Sequence, residues 1–496
     1  MGKAERHCLL IGVGALLAHA TTIALPEVNR EFAFVDAARY FGTGAPVLLE
    51  EYFHYQANSV ALPALAAWLS RPLPEADLLL VERTLAGAGI AAFAWGVLRL
   101  ARFLGRQAEA PALLALLVCN PLVWIYSGRA TADFLPAALG LLAATFCLEA
   151  STWTAVCGGL LLGCAGVLKL HVLLMLAPLA GLLLAIRPPV VALRRAALAT
   201  AVSASVTGAA LAAAHARYGF WLTPPGFQEI HRVSLSGMPV NFLAYASFLS
   251  LLTLPMSAAV PGAWAAVHRH RWLAAASATG AIALGALVWH DNGEMNLGPL
   301  DAYLNPTLVG AAFAILSMGL AVPLLGRIAG ADAGARPVRL VGIATIFVLL
   351  VLSLSRPAQR YLLFVLPFYA LVLPGRVLRS GPVVLGCAAL FIAADAFIGY
   401  SQWCTGTAAR IMRDRIVEAG WLLQTDPGAI EAHVGDAFFK ARAGPRRYTV
   451  VAGSNPQALL SVRAGTWAGR TFSLVPIAPQ TVTDEASPRS PTLEGQ

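Results

Sequence analysis

Six stretches of this sequence carry side chains able to do chemistry, in a chain where only 12% of residues are charged. The first opens at Leu25-Pro26-Glu27 and runs through Glu31, Asp36, Glu50 and Glu51 to His54. A carboxylate at the edge of a bilayer is costly unless it is paired, hydrated or at work. The second is Ser127-Gly128-Arg129-Ala130-Thr131-Ala132-Asp133. Asp133 fits equally well as the N-cap of the next helix or as a site carboxylate. Arg129 has no partner nearby in sequence, so its partner is long-range or a ligand phosphate. The third is Lys169 with His171. A snorkelling lysine and a ligand contact both fit Lys169, the first slightly better.

The fourth runs Tyr218-Gly219-Phe220-Trp221-Leu222-Thr223-Pro224-Pro225-Gly226-Phe227 and is followed by Glu229, His231 and Arg232. An aromatic belt residue is the simpler reading of Trp221 alone. In the fifth, Trp289-His290-Asp291-Asn292-Gly293-Glu294, three side chains are of metal-ligating type, but their spacing matches no strong motif and a solvated loop fits better. The sixth is Ser355-Arg356-Pro357-Ala358-Gln359-Arg360-Tyr361. Arginine grips a phosphate with two parallel hydrogen bonds. Two arginines at the mouth of an apolar helix, on the side where the distribution of basic residues disfavours them, therefore point to an anionic ligand.

The elements that must hold these groups are membrane spans. Apolar residues make up 58% of 496, mean hydropathy is +0.68, and runs of near-spanning length recur from Cys8 to about Gly399. The pattern predicts about thirteen spans, near 8–25, 78–98, 110–126, 132–149, 153–170, 172–186, 196–214, 243–265, 272–289, 304–323, 338–354, 361–375 and 382–400. The net charge of +9 does not signal nucleic acid. Its arginines fall in short clusters between apolar runs, at Arg99/Arg102/Arg106, Arg187/Arg194/Arg195, Arg269/Arg271, Arg327/Arg336/Arg339 and Arg376/Arg379, the positive-inside pattern. That places the N-terminus in the cytoplasm and all six reactive stretches on the outer side. The first apolar helix, after Lys3 and Arg6, lacks a small-residue cleavage site and reads as a retained span. Six of the seven cysteines lie in apolar runs and read as buried small residues. An Ala/Arg-rich chain with three lysines suggests a bacterial inner membrane and a periplasmic outer face.

In the first outer loop, 26–77, Phe34, Ala37, Ala38 and Phe41 recur at helical spacing within 29–41. Leu62, Leu65 and Leu69 do so within 60–69. Both helices are too short to span and would lie along the membrane surface. After Tyr400 the texture changes. Residues 410–423 and 429–442 read as amphipathic helices, 448–452 and 471–476 as strands, and a helix is expected from Asn455 to Arg463. These make a small periplasmic α/β domain over 401–479, followed by a disordered tail at 480–496. The fold class is an all-α polytopic membrane protein over 1–400 with that domain appended.

The order of these motifs resembles the GT-C glycosyltransferases, above all the dolichol-phosphate-mannose-dependent mannosyltransferases. Their first-loop Pro-Asp-Glu is similar to Pro26-Glu27, and their following Arg/Asn-Ser and Pro to Asn58-Ser59 and Pro63. Their Arg-Thr/Ser…Asn turn is similar to Arg129–Asp133, and their Tyr-Gly-x-Trp…Pro…Phe loop to Tyr218–Phe227. Their late His-Lys-Glu-x-Arg-Phe…Pro is similar to Arg356–Tyr361 with Pro367. The second acid of the first motif is Val28 here, and Arg-Pro-Ala-Gln stands where His-Lys-Glu would be. The bacterial lipid A aminoarabinose transferases share the scaffold.

The resemblance implies an inverting glycosyltransferase that takes mannose or another hexose or pentose from a polyprenyl-phosphate donor. The acceptor would be a glycan, a lipid or a protein. Glu27 would be the general base, assisted by Asp36 and Asp133. Arg360, Arg356, Lys169 and Arg129 would hold the donor phosphate, and His54, Tyr218, Trp221, His290 and Tyr361 would line the substrate. Membrane lipid is the surrounding partner and nucleic acid is not one. No cofactor is called for, and the question of a divalent metal stays open. The competing class is a transporter or flippase of a polyprenyl-linked glycan or lipid. It would need ionisable residues along the midplane; Glu82, Glu149 and Asp395 are the few candidates, each near the end of an expected span.

Overall fold

The computed structural model describes residues 3–22, 34, 38, 61–71, 78–218, 233–261, 265, 336–355, 358–418, 430–434, 437–441, 447–452, 454–464 and 470–477. The chain divides into two compact units, 1–403 and 404–496.

The first unit is helical. Its helices are α1 (Lys3–Thr22), α2 (Ala61–Ser70), α3 (Leu78–Phe103), α4 (Ala110–Val118), α5 (Pro121–Ser127), α6 (Phe134–Leu148), α7 (Thr152–Leu168), α8 (Leu176–Ile186) and α9 (Pro189–Tyr218). Then come α10 (Met238–Leu252), α11 (Leu254–Ala258), α12 (Arg336–Leu352), α13 (Leu366–Ala370), α14 (Gly375–Leu378) and α15 (Gly381–Glu418), which runs on into the second unit. Among the described residues, Leu78–Phe103, Pro189–Arg217 and Gly381–Tyr400 are long and apolar enough to cross a membrane.

Several expected spans take another form. The run at 110–126 is not one helix: Gln107–Val118 and Pro121–Ser127 meet at 65°. Pro121 has no N–H to continue the ladder, and the Asn120 side chain accepts the Leu122 N–H at 3.1 Å, starting α5 afresh. The run at 243–265 breaks at Thr253, just ahead of Pro255. The run at 361–375 is a 3-10 turn, Gln359–Phe364, followed by the short α13, with Pro367 at its start. The helix expected at 382–400 continues to Glu418, so the sequence texture changes at Tyr400 while the backbone does not. The stretches at 272–289 and 304–323 lie outside the described residues.

The core hairpin is α6–α7, joined by residues 149–151, with α3 packed against α6 and α9 against α7. Gly159 and Gly163 of α7 make the α9 contact possible. A Cβ at either would meet Val202 Cβ at 2.9 Å or Val206 Cβ at 2.7 Å, so the two backbones approach through small residues. Thr207 adds a hydrogen bond to the Gly163 carbonyl at 3.2 Å. At the 149–151 end of this hairpin the basic clusters gather. Arg99 pairs with Glu149, Arg195 donates to the carbonyls of Cys147, Ala150 and Ser151 at 3.1, 2.8 and 2.9 Å, and Arg187 donates to Leu148 at 3.1 Å. These arginines satisfy carbonyls that the end of α6 leaves open.

Helix α2 forms where the leucine spacing predicts it and packs on α3 and α7. Its buried face is Leu62, Pro63, Ala66 and Ala67 rather than Leu62, Leu65 and Leu69, because the small alanines allow the closer approach. In the second unit, Ile430–Val434 (β1) pairs antiparallel with Ala437–Ala441 (β2). Arg447–Ala452 (β3), Leu460–Ala464 (β4) and Arg470–Ile477 (β5) form a sheet of order β3-β5-β4. The helices expected at 429–442 and 455–463 are therefore corrected to strands. Gly435-Asp436 between two β-prone runs is a hairpin signal, and Leu460-Ser461-Val462-Arg463 alternates with period two, Val462 buried and its neighbours exposed.

Candidate functional site

The antiparallel hairpin decides the site. Asp133 stands directly before α6 and Lys169 directly after α7, so helices of similar length bring them to the same end, opposite Arg99 and Arg195. Lys169 Nζ forms an ion pair with Asp133 Oδ1, and each side chain is only 7% exposed. This corrects the snorkelling reading of Lys169: the ammonium is buried against a carboxylate. It also corrects the capping reading of Asp133. The residue sits at the N-cap position, but its side chain makes no capping bond.

Arg360 is the second cation on the same carboxylate, its Nε 3.7 Å from Asp133 Oδ1 and its side chain 20% exposed. It lies in the Gln359–Phe364 turn, which packs against α5, α6, α10 and the 3-10 turn Leu170–Met175. The next residue, Tyr361, is buried beneath both cations. Lys169 Nζ is 5.0 Å and the Arg360 guanidinium carbon 5.4 Å from its ring centroid, distances at which the ring face attracts a cation. The His171 ring stacks on Tyr361 at 4.4 Å and 13°. Burial pulls the Asp133 carboxyl upward. The Lys169 and Arg360 charges, with hydrogen bonds from Lys169 and Thr131, outweigh it and hold the group below its ordinary value, hence ionised. Among the described residues, two cations thus meet on this one carboxylate. Arg129, wholly buried, lies four residues before Asp133, and its carbonyl accepts the Thr131 N–H at 2.7 Å.

Helix α10 supplies supports that sequence reasoning missed. Asn241 Nδ2 donates to the carbonyls of Ser353 and Ser355, both at 3.0 Å, and Tyr245 Oη accepts the Ala358 N–H at 3.1 Å. They bracket the segment leading to Arg360. Their signal was available: two polar side chains four apart on one face of an apolar helix.

Of the acidic first loop, Phe34 and Ala38 are described, and both are helical and buried. Phe34 packs with Leu62, Leu135, Ala132 and Leu168, the last two being chain neighbours of Asp133 and Lys169. Phe34 thus packs beside the cluster. Glu27, Asp36, His54, Trp221, His290 and Arg356 lie outside the described residues. Tyr218 ends α9, with its side chain outside them too.

No protein-family model matches this sequence, and no curated protein matches it. Among solved structures it is similar to ArnT from Cupriavidus metallidurans bound to undecaprenyl phosphate. The identity is 14%, over 94% of this chain and 97% of that one, with a TM-score of 0.44. The apo state of the same protein gives 15% identity over 95% and 98%, also at 0.44. A likeness of that degree carries no assignment of substrate or fold, and the site stands on its own residues.

Proposed function

We propose that this chain is a glycosyltransferase of the GT-C kind, moving a sugar from a polyprenyl-phosphate donor to an acceptor hydroxyl on the outer face of a bacterial inner membrane. The observation that carries this reading is the Lys169–Asp133–Arg360 cluster over Tyr361. It gathers two cationic side chains at the loop end of an apolar helix bundle, where a lipid phosphate would lie with its chain among helices.

In the reaction, the acceptor oxygen attacks the anomeric carbon from the face opposite the bond to phosphate. That bond breaks, and its electron pair leaves on the polyprenyl phosphate. Arg360 and Lys169 stabilise the charge that develops on the phosphate oxygens, in an arrangement already built before the substrate binds. Asp133 holds both cations in place. Arg129 and Arg356 are further candidates for phosphate contact. Glu27 takes the hydroxyl proton, and Asp36, two residues after Phe34 in sequence, is the proposed assistant. Inversion at the anomeric carbon follows from a single displacement. His54, Tyr218, Trp221, His290 and Tyr361 are the proposed substrate lining.

The test is transfer of labelled sugar from a panel of polyprenyl-phosphate sugars by the purified full-length protein. Product formation is expected, and Arg360→Ala should cut it by about a hundredfold. Full activity in that variant removes Arg360 from the phosphate site.

A flippase is the second reading, favoured by one observation. Asp395 is a buried carboxylate within the apolar segment Gly381–Tyr400, toward its Tyr400 end. Movement of the lipid across proteoliposomes without formation of a glycosidic bond decides for it.

A further inference from the structure

Where α4 breaks from α5, the Val118 carbonyl loses its helical partner. In an unbroken helix it would accept from the N–H four residues on, that of Leu122, which here goes to the Asn120 side chain. His19 of α1 takes that place. Its Nε2 lies 2.9 Å from the Val118 oxygen, and its Nδ1 bonds the hydroxyl of Ser127, the last residue of α5. A carbonyl can only accept, so Nε2 carries a proton, and Nδ1 is joined to the Ser127 hydroxyl by the second hydrogen bond. Ser127 Oγ also donates to the Trp124 carbonyl at 3.0 Å. His19 and Ser127 are both buried.

One imidazole therefore touches both arms of the 65° bend. The arm it holds at Ser127 leads directly into Gly128 and the turn bearing Arg129 and Asp133. A turn beyond His19, the end of α1 presses on the same place. Thr22 Oγ1 donates to the His19 carbonyl at 2.6 Å. A Cβ on Gly128 would overlap that hydroxyl and lie 2.7 Å from Thr22 Cβ, so only glycine allows the approach. Glu27 follows Thr22 by five residues, a reach of at most about 17 Å.

We propose that His19 is a positioning residue for sugar transfer: it braces the broken span and thereby fixes the Arg129–Asp133 turn relative to the chain end that leads to Glu27. This rests on the function proposed above. His19 touches no substrate; it acts through Ser127 and the geometry of the bend.

The experiment compares kcat and KM for transfer with the Kd for polyprenyl phosphate, in full-length wild type, His19→Ala, Ser127→Ala, the double variant and His19→Asn. Misplacement by about 1 Å can cost up to a hundredfold in rate. The expected result is a kcat lowered by about ten- to a hundredfold in each alanine variant, with KM and Kd within twofold of wild type. The double variant should be no worse than either single one, because both remove the same bond. His19→Asn, whose amide can meet the Ser127 hydroxyl, should recover much of the loss. Wild-type kcat in both single variants overturns the inference, as does a rise in KM alone or additive losses in the double variant. Should His19→Ala fail to fold, Ser127→Ala and His19→Asn carry the comparison. A wild-type protein that transfers no sugar sinks the function and this inference with it; a transferring wild type with an indifferent His19 sinks only the inference.

Discussion

Glu27→Gln is expected to lower sugar transfer by roughly 10²- to 10⁴-fold, the range a lost general base costs, while polyprenyl phosphate binds as before. The amide has nearly the shape of the carboxylate but cannot take a proton, so the substitution removes acid–base work and leaves packing intact. Two described residues flank this part of the sequence. Thr22, five residues earlier, abuts Gly128; Phe34, seven residues later, packs on the neighbours of Asp133 and Lys169. Glu27 itself lies outside the described residues, and its assignment as base rests on the proposed function. In the proposed mechanism donor binding falls to Lys169 and Arg360 instead, so binding and turnover should separate. The measurement is labelled-sugar transfer beside direct binding of polyprenyl phosphate. Undiminished transfer in the variant would sink the base assignment, and Asp36→Asn would be tested next.

Residue type made much of this cluster legible. A lysine among apolar runs, arginines on the side expected to be outer and an acid before a helix all stood out against a sparse charge background. Their pairing did not. Asp133 and Lys169 are 36 residues apart, and only the α6–α7 hairpin makes them neighbours. Arg360 joins from much later in the chain through a turn that α10 holds. Helix positions followed from hydropathy where the run was uninterrupted, as in α3, α7 and α12. They failed where polar or prolyl residues cut the ladder: hydropathy averages over Asn120-Pro121 and over Pro367, while backbone hydrogen bonding does not. The second unit misled for a different reason. Residues 429–442 have apolar residues at spacings that suit a helix, yet they pair across Gly435-Asp436 as a hairpin, and tertiary context decided the outcome. His19 gave no signal at all, since a lone histidine in an apolar helix looks the same whether or not a broken helix lies opposite.

Asp133→Ala is expected to lower stability by about 3–5 kcal/mol, because it strands the buried Lys169 ammonium without its partner. Lys169 cannot relax toward water easily: its side chain is 7% exposed and lies over the Tyr361 ring. Thermal unfolding of the purified protein measures the loss. The double variant Asp133→Leu/Lys169→Met separates stability from function. Replacing both members of a buried pair with apolar side chains is often neutral or stabilising, so the double variant should melt near wild type and yet transfer no sugar. A single Asp133→Ala protein that melts like wild type would mean that water reaches the pair and that the site is not preorganised. The dependence on pH has a definite sign. The Asp133 carboxyl is held below its ordinary value, so its contribution is complete above the unfolded-state value, about 3.9 for an aspartate. It is lost as pH falls through the depressed folded-state value. The gap in melting temperature between wild type and Asp133→Ala should therefore be constant near neutrality and close only in strong acid. A gap that closed between pH 7 and 5 would show that the carboxylate is not held by the two cations, and the anion site built on them would fall with it.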